Sequence, residues 1–301
     1  MYREALELSR SDNRYMDLVE KRVQVNGVEL AFFERDGLEP TLLFAHATGF
    51  HARCWDAVME GLAERSIALD LRGHGRSSKP TPPYPWSDFA NDIAAFCEIL
   101  GLKNLIGVGH SMGGAAIATA AAMQPRTFSS LLLVDPVLMK PSTYDRTPTA
   151  EGEHFVARRR NAWTSPEEMI ERFRKRDPFR SWEPRVLRDY CEHGLLAEPH
   201  SKQYTLACPP AIEAAVYTGN QMWNPYPLLS NLDLPVTILR APSPATEQQM
   251  NMMSSPTWPG LVSHLPNAEE IVLSENSHFI PMEAPGLVAR HIGDLLTKLR
   301  E

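Results

Sequence analysis

The chain is expected to fold as an α/β protein, with a mostly parallel central sheet flanked by helices and a helical insert in its second third. Three observations predict this. Apolar runs of strand length, Thr41 to Ala45, Ser66 to Leu69, Leu105 to Val108, Ser130 to Val134 and Pro235 to Leu239, alternate with helix-competent stretches. Buried strands read as continuous apolar runs, and strand–helix alternation implies parallel pairing through crossover helices. The alternation stops between Val137 and Tyr226, where charged and aromatic residues and nine prolines take over. Finally, Gly109-His110-Ser111-Met112-Gly113 sits between the Leu105 to Val108 run and an Ala-rich segment of strong helix propensity.

Taken in order, residues 1 to 20 read as a short charged helix. Arg22 to Leu30 alternates around Asn26-Gly27, a strong hairpin signal, and Ala31 to Arg35 continues as the second strand. Thr41 to Ala45 ends at the loop His46-Ala47-Thr48-Gly49-Phe50. Helical spacing covers Arg53 to Glu64, and the strand Ser66 to Leu69 leads into the polar turn Asp70 to Ser77. A helix opens at Trp86-Ser87-Asp88, capped by Trp86 or Ser87, and closes at Gly101. The insert has helix-like stretches near 150 to 163, 165 to 177, 184 to 194 and 208 to 218 and lacks buried-strand runs. After Pro235 to Leu239 come a helix-competent stretch, a last strand Ile271 to Leu273 and a closing helix Gly286 to Leu299. The domain reading is a core of 1–136 and 227–301 with a cap of 137–226.

At 301 residues the chain can bury a sizeable core. A formal net charge of −7 argues against nucleic-acid and anionic-membrane partners. No apolar leader or span of membrane length is present, so a cytoplasmic protein is expected. Cys54, Cys97, Cys191 and Cys208 are scattered and read as free thiols. No metal-ligand spacing appears, so neither a metal nor another cofactor is expected. No feature specifies an oligomeric state.

The chemistry centres on Ser111. Small neighbours at 109 and 113 let a sharp strand-to-helix turn hold the serine in a strained conformation with its hydroxyl exposed at a helix N-terminus. There the Met112 amide can hold an oxyanion formed when Ser111 attacks a carbonyl. A loop just past a neighbouring strand can aim a second amide at the same point, and Thr48 is the candidate. His46 reads as a loop-shaping hydrogen bonder. A dinucleotide-binding reading of Gly107-x-Gly109 fails at the third glycine position, which is Met112.

Together, His46 to Phe50, Asp70-Leu71-Arg72-Gly73-His74-Gly75, Gly109-His110-Ser111-Met112-Gly113-Gly114 and Ser277-His278-Phe279 resemble the α/β-hydrolase superfamily over nearly the whole chain. The resemblance implies an α/β-hydrolase fold with Ser111 as nucleophile and His278 as its base. The orienting acid departs from the commonest pattern, because no Asp lies between Asp233 and Asp294. Some relatives place it after the strand following the elbow helix, where Asp135 stands here; Glu247 and Glu275 are alternatives. Ala47, His110, Trp163 and Phe279 are the expected substrate contacts; the Arg158 to Arg160 and Arg172 to Arg176 runs read as solvated faces, with a carboxylate-binding role for one of these arginines as the alternative. The implied activity is cofactor-free cleavage of a small, largely apolar ester or related acyl bond. Lactone and carbon–carbon cleavage use the same apparatus, perhydrolysis is a minor variant, and a weakly catalytic ligand receptor is the non-enzymatic alternative.

Overall fold

The computed structural model describes residues 18–145, 154–244, 246 and 250–300. The N-terminal helix expected over residues 1 to 20 lies largely outside these, and where description begins the chain is already extended: β1 (Val19–Val25). It pairs antiparallel with β2 (Val28–Arg35) through Asn26 and Gly27, whose positive φ of 45° and 78° suits the two-residue turn read from the sequence. Next come β3 (Leu38–Ala45), a 3-10 turn at Ala52–Trp55, α1 (Asp56–Met59), β4 (Glu64–Leu69) and α2 (Trp86–Ile99). Helix α2 follows Pro85 with no side-chain cap, in place of the expected Trp86 or Ser87. The elbow unit is β5 (Leu105–His110) and α3 (Met112–Met123), followed by β6 (Phe128–Val134).

Between β6 and the next core strand lie β7 (Ala162–Trp163), α4 (Pro166–Phe173), α5 (Pro184–His193), β8 (Leu195–Ala197), β9 (Tyr204–Leu206), α6 (Pro210–Gly219) and α7 (Tyr226–Leu229). Three of the four expected insert helices are present. Residues 146–153 are outside the description, and the remainder of the first is a 3-10 turn at Phe155–Arg158 followed by β7. The insert also holds an antiparallel sheet of order β7-β9-β8 that sequence reading misses, because strands of two and three residues are too short to show a period. The chain closes with β10 (Val236–Arg240), β11 (Ala268–Val272), α8 (Ile280–Glu283) and α9 (Pro285–Lys298). Among the described residues between β10 and β11 the regular element is a 3-10 turn at Leu261–His264, where a helix was expected; Pro242, Pro244, Pro256 and Pro259 interrupt that stretch.

The main sheet runs β1-β2-β4-β3-β5-β6-β10-β11, parallel from β4 onward, with β2 antiparallel to both neighbours. Alternation sends Leu43, Leu105, Leu131 and Ile238 to a core shared with α2 and α3, and Leu42, Phe44, Ile106 and Val134 to one shared with Trp55, Val58 and α9. Helix α9 buries Val288, Ile292, Leu295 and Leu296, the spacing of one apolar face. A third apolar cluster joins the insert to the loops above the sheet through Ala47, Phe50, Trp182, Tyr190 and Phe279. Register sets Ala45 beside Gly109 and His110 beside Val134, so the loops after β3, β5 and β6 leave the sheet at one level. The chain turns to opposite sides of the sheet after β3 and after β5, and in such sheets ligands bind at that switch, beyond the carboxyl ends of the strands.

No helix of the described residues is long and apolar enough to cross a membrane. The four cysteines are free and buried.

Candidate active site

Ser111 occupies the single residue between β5 and α3 with φ 57° and ψ −119°, a conformation that costs a non-glycine residue roughly 1–3 kcal/mol. Packing enforces it. A Cβ on Gly109 would lie 2.6 Å from the Gly113 carbonyl oxygen, and one on Gly113 would meet the backbone of Ala45 and His46. The elbow therefore tolerates only hydrogen at both positions, and α3 can press against the loop after β3. The Ser111 amide donates to the Val134 carbonyl at 3.1 Å, fixing the turn to β6.

His278 lies between β11 and α8. Its Nε2 accepts from the Ser111 hydroxyl at 3.0 Å, and its Nδ1 donates to Asp135 Oδ2 at 2.7 Å. The ring is held from the back as well. His110 donates from Nε2 to the His278 carbonyl at 2.8 Å, and the His278 amide donates to the Met253 carbonyl at 2.9 Å. Burial first, then the neighbouring His278, holds His110 well below the ordinary histidine range, so it stays neutral with its proton on Nε2.

Asp135, directly after β6, is fully buried with φ 45°. Its second oxygen, Oδ1, accepts from the Ser255 hydroxyl at 2.6 Å and the Ala241 amide at 3.1 Å. The Thr257 hydroxyl lies 3.2 Å from the same oxygen and donates to the Pro136 carbonyl at 2.7 Å. A buried carboxylate needs this many donors to remain satisfied. Of the alternative acids, Glu275 is exposed and accepts from Ser274, and Glu247 lies outside the described residues.

The Met112 amide is the first of α3 and has no acceptor within the helix. Thr48 stands opposite, its hydroxyl 3.4 Å from Met112 Sδ. His46 is structural: Nδ1 donates to the Ala47 carbonyl at 2.8 Å and Nε2 accepts from the Leu71 amide at 3.0 Å. Burial lowers its pKa to about 3, so it remains neutral.

Ser111 and His278 open onto a cavity of about 410 Å³. Ala47 and Phe279 line it, as does Thr48, the expected oxyanion donor; Trp182, one of the insert aromatics that could line an acyl pocket, joins them with Phe50, Phe179 and Tyr190, which sequence reading did not single out as contacts. Phe155, Met250 and Met252 line it while remaining 62%, 55% and 44% exposed, which marks where it opens. Two expected contacts are corrected. His110 is fully buried behind His278 and supports that loop. Trp163 packs in the insert's own core, edge-on to Phe173 with the Arg160 guanidinium 4.2 Å from its ring. Of the basic runs, Arg159 reaches the cavity, ion-paired to Glu213.

A parallel sheet whose central strand delivers a strained serine, with histidine and aspartate returned from later strand ends, defines an α/β hydrolase. Residues 42–291 match the model of the alpha/beta hydrolase family, and the chain belongs to that family. It is 35% identical over 119 residues to the 2-(acetamidomethylene)succinate hydrolase of Mesorhizobium japonicum, 39% of this chain and 42% of that protein. To an esterase of Mycobacterium tuberculosis it is 35% identical over 124 residues, 40% and 41% of the two chains. The match thus spans about two fifths of these relatives' length. The crystal structure of an E-2-(acetamidomethylene)succinate hydrolase shares the fold, with a TM-score of 0.73 over 93% of this chain and 99% of that one at 22% identity.

Proposed function

We propose that the protein is a serine hydrolase that cleaves a carboxylic ester, or a related acyl bond, of a small and largely apolar molecule. The observation that carries this reading is the unbroken hydrogen-bonded chain from the Ser111 hydroxyl through His278 to Asp135, opening onto an apolar cavity. A serine hydroxyl is a weak nucleophile until a neighbour takes its proton. In the proposed reaction His278 Nε2 takes it as Ser111 Oγ attacks the carbonyl, Asp135 stabilises the imidazolium, and the Met112 and Thr48 amides hold the oxyanion. The imidazolium then protonates the leaving alkoxide. A water deprotonated by His278 attacks the acyl-enzyme and releases the acid, returning the proton to Ser111.

The ligand-receptor alternative drew its support from the missing aspartate after Leu239. Asp135 supplies a carboxylate at 2.7 Å from the imidazole, which removes that support. Hydrolase and esterase relatives agree with the reading. The test is a panel of p-nitrophenyl esters of graded acyl length under pre-steady-state conditions. Turnover with a burst of about one equivalent of p-nitrophenol per protein is expected; folded protein without turnover of any ester would overturn the reading.

A further inference from the structure

The cavity lining includes a charged cluster built entirely from the insert. Arg159, just past the Phe155–Arg158 turn, ion-pairs through Nη1 with Glu213 of α6 and donates from Nη2 to the Tyr190 hydroxyl of α5 at 3.1 Å. All three line the cavity with Ser111 and His278, and Arg159 and Glu213 are the Arg, Lys, Asp or Glu residues among the described lining residues. Glu213 is 3% and Tyr190 4% exposed. Burial works against the Arg159 charge, yet Tyr190 and Glu213 hold its pKa above the ordinary value, so it stays cationic.

The cluster adjoins the loop proposed to hold the oxyanion. Gly49, next to Thr48, has φ 80°, and a Cβ there would lie 2.6 Å from Glu213 Oε1. Arg159 and Glu213 line the same cavity as Ser111 and His278, so a molecule held at the serine can reach them.

Resting on the serine-hydrolase reading, we propose that the Arg159–Glu213 pair selects substrates bearing an uncharged amide-like group and discriminates against a free carboxylate there. The charge of Arg159 is already matched by Glu213. A substrate carboxylate would place a second anion on one guanidinium in a buried site, where like charges oppose each other strongly. A primary amide meets both partners: its carbonyl accepts from Arg159, which makes two hydrogen bonds among the described residues out of five N–H donors, and its N–H donates to Glu213. A site built to hydrogen-bond a group rejects analogues that leave its buried polar atoms unpaired. A cavity of about 410 Å³ accommodates a six-carbon acyl chain with such an end group.

The test uses p-nitrophenyl esters of equal length that differ at the far end: adipamate ending in –CONH2, the adipate monoester ending in carboxylate, and heptanoate. Wild type is expected to favour adipamate over adipate by about tenfold or more in kcat/KM. Glu213→Gln, which removes the anion and keeps the shape, is expected to reverse that ratio, and Arg159→Gln/Glu213→Gln to abolish the reversal. Because each ratio is taken within one protein, a general loss of turnover cancels. An ion pair that only braces the insert would not invert a charge preference. Wild type turning over adipate as well as adipamate overturns the proposal even if the variants do not fold, as does a Glu213→Gln ratio equal to wild type. Wild-type turnover of p-nitrophenyl butyrate reports separately on the serine-hydrolase reading.

Discussion

Asp135 Oδ2 and His278 Nδ1 meet at 2.7 Å although 143 positions separate them, because the loops closing β6 and β11 rise from the same edge of the sheet. In the proposed reaction the carboxylate fixes which ring nitrogen carries the proton and steadies the imidazolium that forms when Ser111 is deprotonated. In Asp135→Asn the side-chain NH2 would favour the opposite tautomer. Turnover of p-nitrophenyl butyrate is expected to fall by roughly three to four orders of magnitude with an unchanged circular dichroism spectrum. Near-normal turnover would move the role to another acid, Glu247 first.

His110 acts through the His278 backbone. His110→Phe keeps a ring in the buried space and removes the 2.8 Å hydrogen bond to the His278 carbonyl. The freed loop would hold the imidazole less closely, and small misplacements are expensive in rate. A drop of about tenfold in kcat with little change in KM is expected from steady-state kinetics; an effect confined to KM would return His110 to substrate contact.

Asp189 of α5 predicts a pH dependence of stability. Burial, then the nearby Asp56, raises its carboxyl to about 7, against Arg185 whose Nε is 3.8 Å away. In the unfolded chain the same group titrates near ~3.9. Between those values the unfolded chain has lost the proton and the native state keeps it, so this group's contribution to stability falls as pH rises from about 4 to about 7. Asp189→Asn removes that slope. It is expected to be more stable than wild type at pH 8 by about 1–3 kcal/mol, with the gain shrinking toward pH 4, as read from urea midpoints. An equal difference at both pH values would rule out this carboxyl as the source.

Much of the site was legible because each element left a local trace. The elbow shows in the two glycines that packing demands, and Asp135 stands where the family resemblance puts the acid of some relatives, after the strand that follows the elbow helix. The cavity wall was not legible. Nothing in the periodicity separates Trp163, packed inside the insert, from Trp182, which faces the cavity, because one sits in a two-residue strand and the other just past a three-residue turn, and tertiary contacts set where each points. Arg159 reads as part of a solvated basic run, and its buried partner Glu213 stands 54 positions later. Ser255 and Thr257, which hold the outer oxygen of Asp135, lie in a proline-broken segment that carries no motif.

Reaction with a fluorophosphonate, followed by intact-protein mass and peptide mapping, bears most directly on Ser111 as an activated nucleophile. One phosphonyl adduct per chain on the peptide containing Ser111 is expected, absent in Ser111→Ala and formed far more slowly in His278→Ala. A folded wild-type protein that takes no adduct, or a Ser111→Ala variant labelled as fast as wild type, would contradict it.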